Sequence, residues 1–161
     1  NILEIGTLFG KSAVAIDDAF IAKGIAHNIV TYDVCFGFAG ETDPTIDPNI
    51  LAEIEKCRCD VDTQFERIQE NLVVRDNIKF VKDFWQPDTK IGFKPDFIFY
   101  DGLHNYEESL KILNSYNPKV FAMDDYIRPQ YGGVCDAVDE HVKSTGKRFK
   151  KFDDSKIAIV Y

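Results

Sequence analysis

The sequence predicts an open, mostly parallel α/β sheet of seven strands, with helices on both faces and an antiparallel hairpin at the C-terminal end. Three observations lead there. A short apolar run, Ile2-Leu3-Glu4-Ile5, breaks at Gly6 and gives way to a helical pattern from Ser12, the strand-turn-helix opening of a βαβ unit. Further strand-like runs then end in acids: Asn28–Tyr32 before Asp33, Ile78–Lys82 before Asp83, Asp96–Tyr100 before Asp101 and Val120–Met123 before Asp124. Two last runs, 148–152 and 157–161, flank Asp153-Asp154-Ser155-Lys156 as a hairpin.

Each helix has its own signal. From Ser12 to Lys23, Ala13, Val14, Ile16, Ala19, Phe20 and Ala22 recur at helical spacing, with Asp17, Asp18 and Lys23 assigned to the opposite face and Gly24 as the stop. Residues 34–50, with Gly37, Gly40, Pro44 and Pro48, read as a loop whose end, Asp47-Pro48, caps a helix running to about Cys57. A second helix over about 62–74 turns Phe65, Ile68, Leu72 and Val73 inward. Helices follow Glu107, with Leu110, Ile112 and Leu113, and span Val134 to Lys143. His27 and His141 fall at structural positions.

The 161 residues form one domain, 1–161, large enough for a single core. A chain that opens directly on its first strand, without an initiating Met, is read as lacking an N-terminal segment. With 45% hydrophobic and 29% charged residues the composition is that of a globular protein, and a net charge of −8 disfavours nucleic acid and anionic membranes as partners. No run approaches a membrane span and no signal sequence is present, so a cytoplasmic protein is expected. Of four cysteines, Cys57 and Cys59 are too close for a C-x₂-C knuckle, and free thiols are expected throughout. A homo-oligomer is left open.

The first turn separates three chemistries. A dinucleotide fingerprint needs three glycines, and only Gly6 and Gly10 are present, with Leu8 between them. A Walker A loop ends as Gly10-Lys11-Ser12 does, but its leading glycine would stand where Ile5 is. What remains is E-x-G-x-x-x-G, in which Glu4 repels phosphate and suits a cationic or hydroxyl-rich ligand. Asp33, at the end of the second strand, is placed to accept from ribose hydroxyls. Asp101, Asp124 and Asp125 gather at the ends of two neighbouring strands. Such acids either hold a cation between them or splay into solvent, and their oxygen ligands suit a hard divalent ion such as Mg²⁺.

Glu4-Ile5-Gly6-Thr7-Leu8-Phe9-Gly10-Lys11-Ser12 resembles motif I of class I S-adenosylmethionine-dependent methyltransferases, a Rossmann-like fold. Asp101-Gly102-Leu103-His104-Asn105-Tyr106-Glu107 and Asp124-Asp125-Tyr126 are similar to segments of the metal-dependent O-methyltransferases, the catechol-type enzymes and the sugar O-methyltransferases of macrolide and aminocoumarin pathways. The resemblance implies S-adenosylmethionine bound through Glu4, Gly6, Thr7, Leu8, Gly10, Ser12, Asp33, Asp83 and Phe84, with Phe84 or Trp85 on the adenine. It implies one Mg²⁺ or other divalent ion on Asp101, Asp124 and Asp125, and a small-molecule hydroxyl acceptor. His104 stands at the offset of the catechol-type lysine base and is the expected general base, beside Asp101. Arg128 and Tyr131 are expected to face the acceptor. A nucleotide-hydrolysing enzyme using Lys11 and a non-catalytic cofactor-binding domain are the alternatives.

Overall fold

In the computed structural model β1 (Ile2–Ile5) is buried inside the sheet, paired in parallel with β2 (Ile29–Asp33) on one side and β4 (Phe97–Tyr100) on the other. The structure describes residues 1–38, 48–128, 130–152 and 155–161, without the side chains of 50, 51, 53 and 54. β3 (Ile78–Lys82) pairs with β2, and β5 (Val120–Met123) with β4, both again parallel. β7 (Ala158–Val160) runs antiparallel to β5, and β6 (Phe149–Lys151) antiparallel to β7. The seven strands therefore lie in the order β3-β2-β1-β4-β5-β7-β6. The expected hairpin is present, but its second strand is the inner one. Composition explains the inversion: Ala158 and Val160 are buried, whereas all three residues of β6 are exposed, and lysines at an open edge discourage further pairing.

Helices cover both faces. α1 (Lys11–Ala22) and α3 (Val61–Leu72) close one side around Ala13, Cys35, Ile68 and Leu72. α4 (Tyr106–Ser115) and α5 (Gly132–Thr145) close the other over a larger core that includes Leu3, Ile98, Ile112, Phe121 and Val138. α2 (Pro48–Glu55) precedes α3, as the sequence predicts; the cap assigned to Asp47 and the turn at Asp153-Asp154 lie outside the described residues. No disulfide joins any of the four cysteines. Among the described residues no helix is long and apolar enough to cross a membrane.

Two helix-face assignments are corrected. Val73 is exposed rather than inward, because α3 ends at Leu72 and the chain turns away. Asp17 is fully buried, not on the solvent face: its carboxylate accepts from His27 Nε2 at 2.7 Å, Arg75 Nη1 at 2.6 Å and Asn77 Nδ2. Burial alone would raise its pKa, but the hydrogen bonds from Asn77, Arg75 and His27 outweigh it and hold the carboxyl below its usual range. The network ties α1 to the segments entering β2 and β3, at the end of the sheet remote from the acids, and gives His27 its structural role. His141 is also structural, buried with Nδ1 against Asn114 Oδ1 at 3.1 Å.

Candidate functional site

Parallel strands deliver their C-terminal residues to one end of the sheet, and that end is where open α/β sheets bind ligands. Gly6 shows how tightly the loops are drawn together there. Its φ is +91°, and a Cβ on it would lie 1.9 Å from the Asp101 carbonyl oxygen, so the turn leaving β1 touches the turn leaving β4. Gly10, at φ +79°, opens α1, and a Cβ there would press on the Leu72 side chain at 3.1 Å. Between them Leu8 is also left-handed, at φ 46°.

That conformation aims the Leu8 amide at Asp33, whose Oδ2 accepts it at 2.8 Å; Oδ1 accepts from the Cys35 amide at 2.7 Å. Gln64 of α3 braces both loops, donating to the Leu8 carbonyl at 3.0 Å and accepting from the Gly37 amide at 2.8 Å. Asp33 is thus fixed at the wall of a cavity open to solvent, which runs past Gly6, Asp83, Phe84, Asp101 and Glu108. Asp83 Oδ1 accepts from the Phe84 amide at 2.7 Å. Phe84 stands at the opening, while Trp85 both lines the cavity and packs into the core.

Thr7, Leu8, Gly10, Ser12 and Glu4 are not on the cavity wall. Glu4 lies beneath the loop, fully buried, where Thr31 donates to its Oε2 and Thr31 and Thr7 share a hydrogen bond; Oε1 has no partner among the described residues. Burial raises its pKa to about 7, against the hydroxyls of Ser12 and Thr31 that pull it down, with the Asp101 and Asp33 charges adding to the rise. The side chain expected to hold a ligand instead supports the loop, because Glu4 sits opposite Thr31 in the β1–β2 ladder and turns under the turn rather than over it.

On the other side of Gly6 the acids close up. His104 Nε2 lies 3.3 Å from Asp101 Oδ1 and 3.2 Å from Asp125 Oδ2, and one ligand atom from each of the three falls within 4.8 Å of the others. Asp124 is the acid of the expected set that stays outside: its Oδ1 accepts from the Asp125 amide at 2.8 Å, helping to hold Asp125 at φ 54°. The imidazole stands between the two carboxylates. The hydrogen bond to Asp101 raises the His104 pKa, against burial, which lowers it, and with the help of the charges of Asp125, Asp101 and Asp124. Burial raises the Asp101 and Asp125 pKa values; His104 offsets both shifts and the Asp124 charge adds to them. The Lys156 ammonium stands 3.8 Å from Asp125 Oδ1.

Tyr131 packs edge-on to the His104 ring, with centroids 4.8 Å apart. Arg128 does not face the site. Its guanidinium turns along α5 to Asp136 and Asp139, at 2.7 and 3.0 Å, because α5 begins with no other cation to balance those acids. Trp85, Glu108 and Gln64 are the site-region residues that sequence reasoning missed or left undecided. Only the Asn105 cap, whose Oδ1 accepts from the Glu108 amide at 2.9 Å, carried a local signal, since it sets which residue of the first turn faces the strand ends.

The chain fits both groups that the resemblance implies. A carboxylate fixed by backbone amides lines the same cavity as Asp101, and two carboxylates with an imidazole nitrogen form a chemically sound donor set for a divalent transition ion. No protein-family model matches the chain, and no curated sequence does. Solved structures do. The O-methyltransferase NovP superposes with a TM-score of 0.67 at 16% identity, over 99% of this chain and 70% of that one. The calicheamicin methyltransferase CalS11 gives 0.63 at 16% identity with the same coverage, 99% and 70%. The Podospora anserina methyltransferase PaMTH1, solved with S-adenosylhomocysteine bound, gives 0.56 at 16% identity, again over 99% and 70%. The fold of this chain is that of the class I methyltransferases.

Proposed function

We propose that this protein is an S-adenosylmethionine-dependent methyltransferase that methylates a hydroxyl of a small molecule. The observation that supports it most is a single cavity joining the Asp33 carboxylate, fixed by the Leu8 and Cys35 amides, to Asp101 across Gly6. Asp33 would accept from the ribose hydroxyls, and Asp83 and Phe84 would border the base. The cofactor, when bound, supplies a sulfonium methyl group. Transfer of that methyl would break its bond to sulfur as the bond to the acceptor oxygen forms, so the acceptor's proton must leave. His104 takes that proton at Nε2, and Asp101 and Asp125 stabilise the imidazolium.

A divalent ion held by Asp101, Asp125 and the His104 nitrogen, with Asp124 alongside, would lower the acceptor's pKa as a Lewis acid. An imidazole in the set suits Mn²⁺ better than Mg²⁺. A metal-free reading has its own support: His104 Nε2 lies within 3.3 Å of both carboxylates, which would stabilise the imidazolium formed once it takes the proton.

The test is calorimetry with S-adenosylhomocysteine and with ATP, each with and without Mg²⁺ or Mn²⁺, followed by turnover of a hydroxyl acceptor panel in the presence and absence of chelator. S-adenosylhomocysteine binding that weakens about tenfold or more in Asp33→Ala is the expected outcome. Loss of turnover on chelation selects the metal reading; turnover that survives chelation and falls at least a hundredfold in His104→Gln selects the histidine base, within the roughly 10²–10⁴-fold contribution of such groups. Metal-dependent ATP binding without a response to S-adenosylhomocysteine would return the reading to Lys11 and a nucleotide hydrolase. Cofactor binding with no turnover on any acceptor would leave a binding domain.

A further inference from the structure

The outer edge of the sheet carries a charge opposite to that of the whole molecule. The chain has 27 acids against 19 lysines and arginines, yet Lys147, Arg148, Lys150 and Lys151 crowd into five successive positions. The Lys147 ammonium turns to the Pro118 carbonyl oxygen at 3.4 Å. Arg148, Lys150 and Lys151 are exposed along β6, and among the described residues no carboxylate pairs with them.

Aromatic rings hold these three cations in place. On one face the Arg148 guanidinium lies 4.8 Å from the centre of the Tyr161 ring and the Lys150 ammonium 4.5 Å from that of Phe152. On the other face the Lys151 ammonium lies 6.0 Å from the centre of the Tyr126 ring, which packs against Phe149 at 5.6 Å. Cations fixed over rings in this way lose less freedom when they meet an anion.

The backbone of the same edge is open. Arg148 and Tyr161 exchange both of their backbone hydrogen bonds at 2.9 Å. An antiparallel ladder bonds alternate residues, and Phe149 stands opposite Val160, Lys150 opposite Ile159 and Lys151 opposite Ala158. Lys150 therefore bonds inward to β7, while the N–H and C=O groups of Phe149 and Lys151 point away from the sheet, where β6 is the last strand.

We propose that this edge docks an acidic, extended segment of a partner protein, which adds antiparallel to β6 as an eighth strand. Read from its N-terminus, the segment would set acids opposite Lys151 and Lys150, an apolar residue opposite Phe149 and a third acid opposite Arg148. The exposed cations that keep other strands away select this one. Two copies of the chain meeting edge to edge would set cation against cation, which disfavours self-association. Single-stranded nucleic acid fits less well, because rings it would stack on already have cations over them, and it does not use the open N–H and C=O groups.

The experiment uses a dye-labelled peptide blocked at both ends, with Glu-Glu-Val-Glu flanked by serines, and follows its anisotropy. Wild-type protein should bind it, more weakly at ~0.15 M salt than at low ionic strength. Replacing the peptide's valine by proline keeps every charge but removes the N–H that faces the Phe149 carbonyl, and should weaken binding about fivefold or more. Lys150→Glu combined with Lys151→Glu should weaken it about tenfold or more with a cooperative melting curve, whereas Lys79→Glu on β3, the sheet's other edge, should leave it within about twofold. If the double variant does not fold, the two peptides on wild-type protein decide alone. No binding at low ionic strength, equal binding of the two peptides, or an equal loss in Lys79→Glu overturns the proposal. An oligothymidylate of the same charge that binds more tightly than the peptide overturns it in favour of nucleic acid.

Discussion

Individual residues at the strand ends answer to steric and electrostatic limits that can be tested singly. Gly6 combines φ +91° with a carbonyl oxygen 1.9 Å from where a Cβ would stand, and that oxygen is backbone, which cannot swing aside. Gly6→Ala should therefore lower the unfolding free energy by about 2 kcal/mol or more and separate the β1 and β4 turns, read as a fall in melting temperature together with lost S-adenosylhomocysteine affinity. Glu4 illustrates the electrostatic limit. Its pKa in the folded protein is about 7, above the model-peptide value of 4.5, so the folded state holds the proton more tightly than the unfolded chain does. The stabilisation from this proton is complete below about pH 4.5 and is lost as pH rises through 7. Glu4→Gln keeps the shape and cannot ionise. Urea unfolding from pH 5 to 8 should show the mutant losing less stability than wild type across that window, and a parallel decline in both proteins would refute the assignment.

Elements differ in how much of their role is local. The start of α4 is readable from Asn105 and Glu108, because a capping side chain three residues before its amide partner is a short-range arrangement. α1 is not readable in the same way. Its apolar positions mark a helix, but nothing local says that Asp17 turns inward, since its partners His27, Arg75 and Asn77 come from other segments. Asp17→Asn should destabilise the fold by on the order of 2–3 kcal/mol at pH 7, a value discounted for the partial exposure of Arg75. Because the folded-state pKa of Asp17 is lowered, its contribution is present above the unfolded carboxyl pKa and disappears as pH falls. The mutant's acid limb should accordingly be flatter than that of wild type in denaturant titrations below pH 5. The C-terminal pair makes the same point: two short runs around a polar turn identify two strands, but only their competition for the place beside β5 decides that β7 lies inside.

At the scale of the whole molecule, ligand binding and folding are linked. Loops from β1, β2, β3 and β4 share one cavity, so S-adenosylhomocysteine at a hundred times its dissociation constant should stabilise the protein by about 2.7 kcal/mol, seen as a melting shift that vanishes in Asp33→Ala. The sequence by itself determined the strand and helix succession, the parallel core of the sheet and the delivery of Asp33, Asp83, Asp101 and Asp125 to one end, since hydrophobic period and strand-terminal position are local properties. The arrangement in space decided that Glu4 lies under the loop, that His104 rather than Asp124 completes the three-residue cluster, and that the Trp85 ring packs into the core. The physical reason is the same in each case. Residues far apart in sequence compete for the same few hydrogen-bond partners, and which of them wins depends on distances and directions that exist only once the strands have been laid side by side.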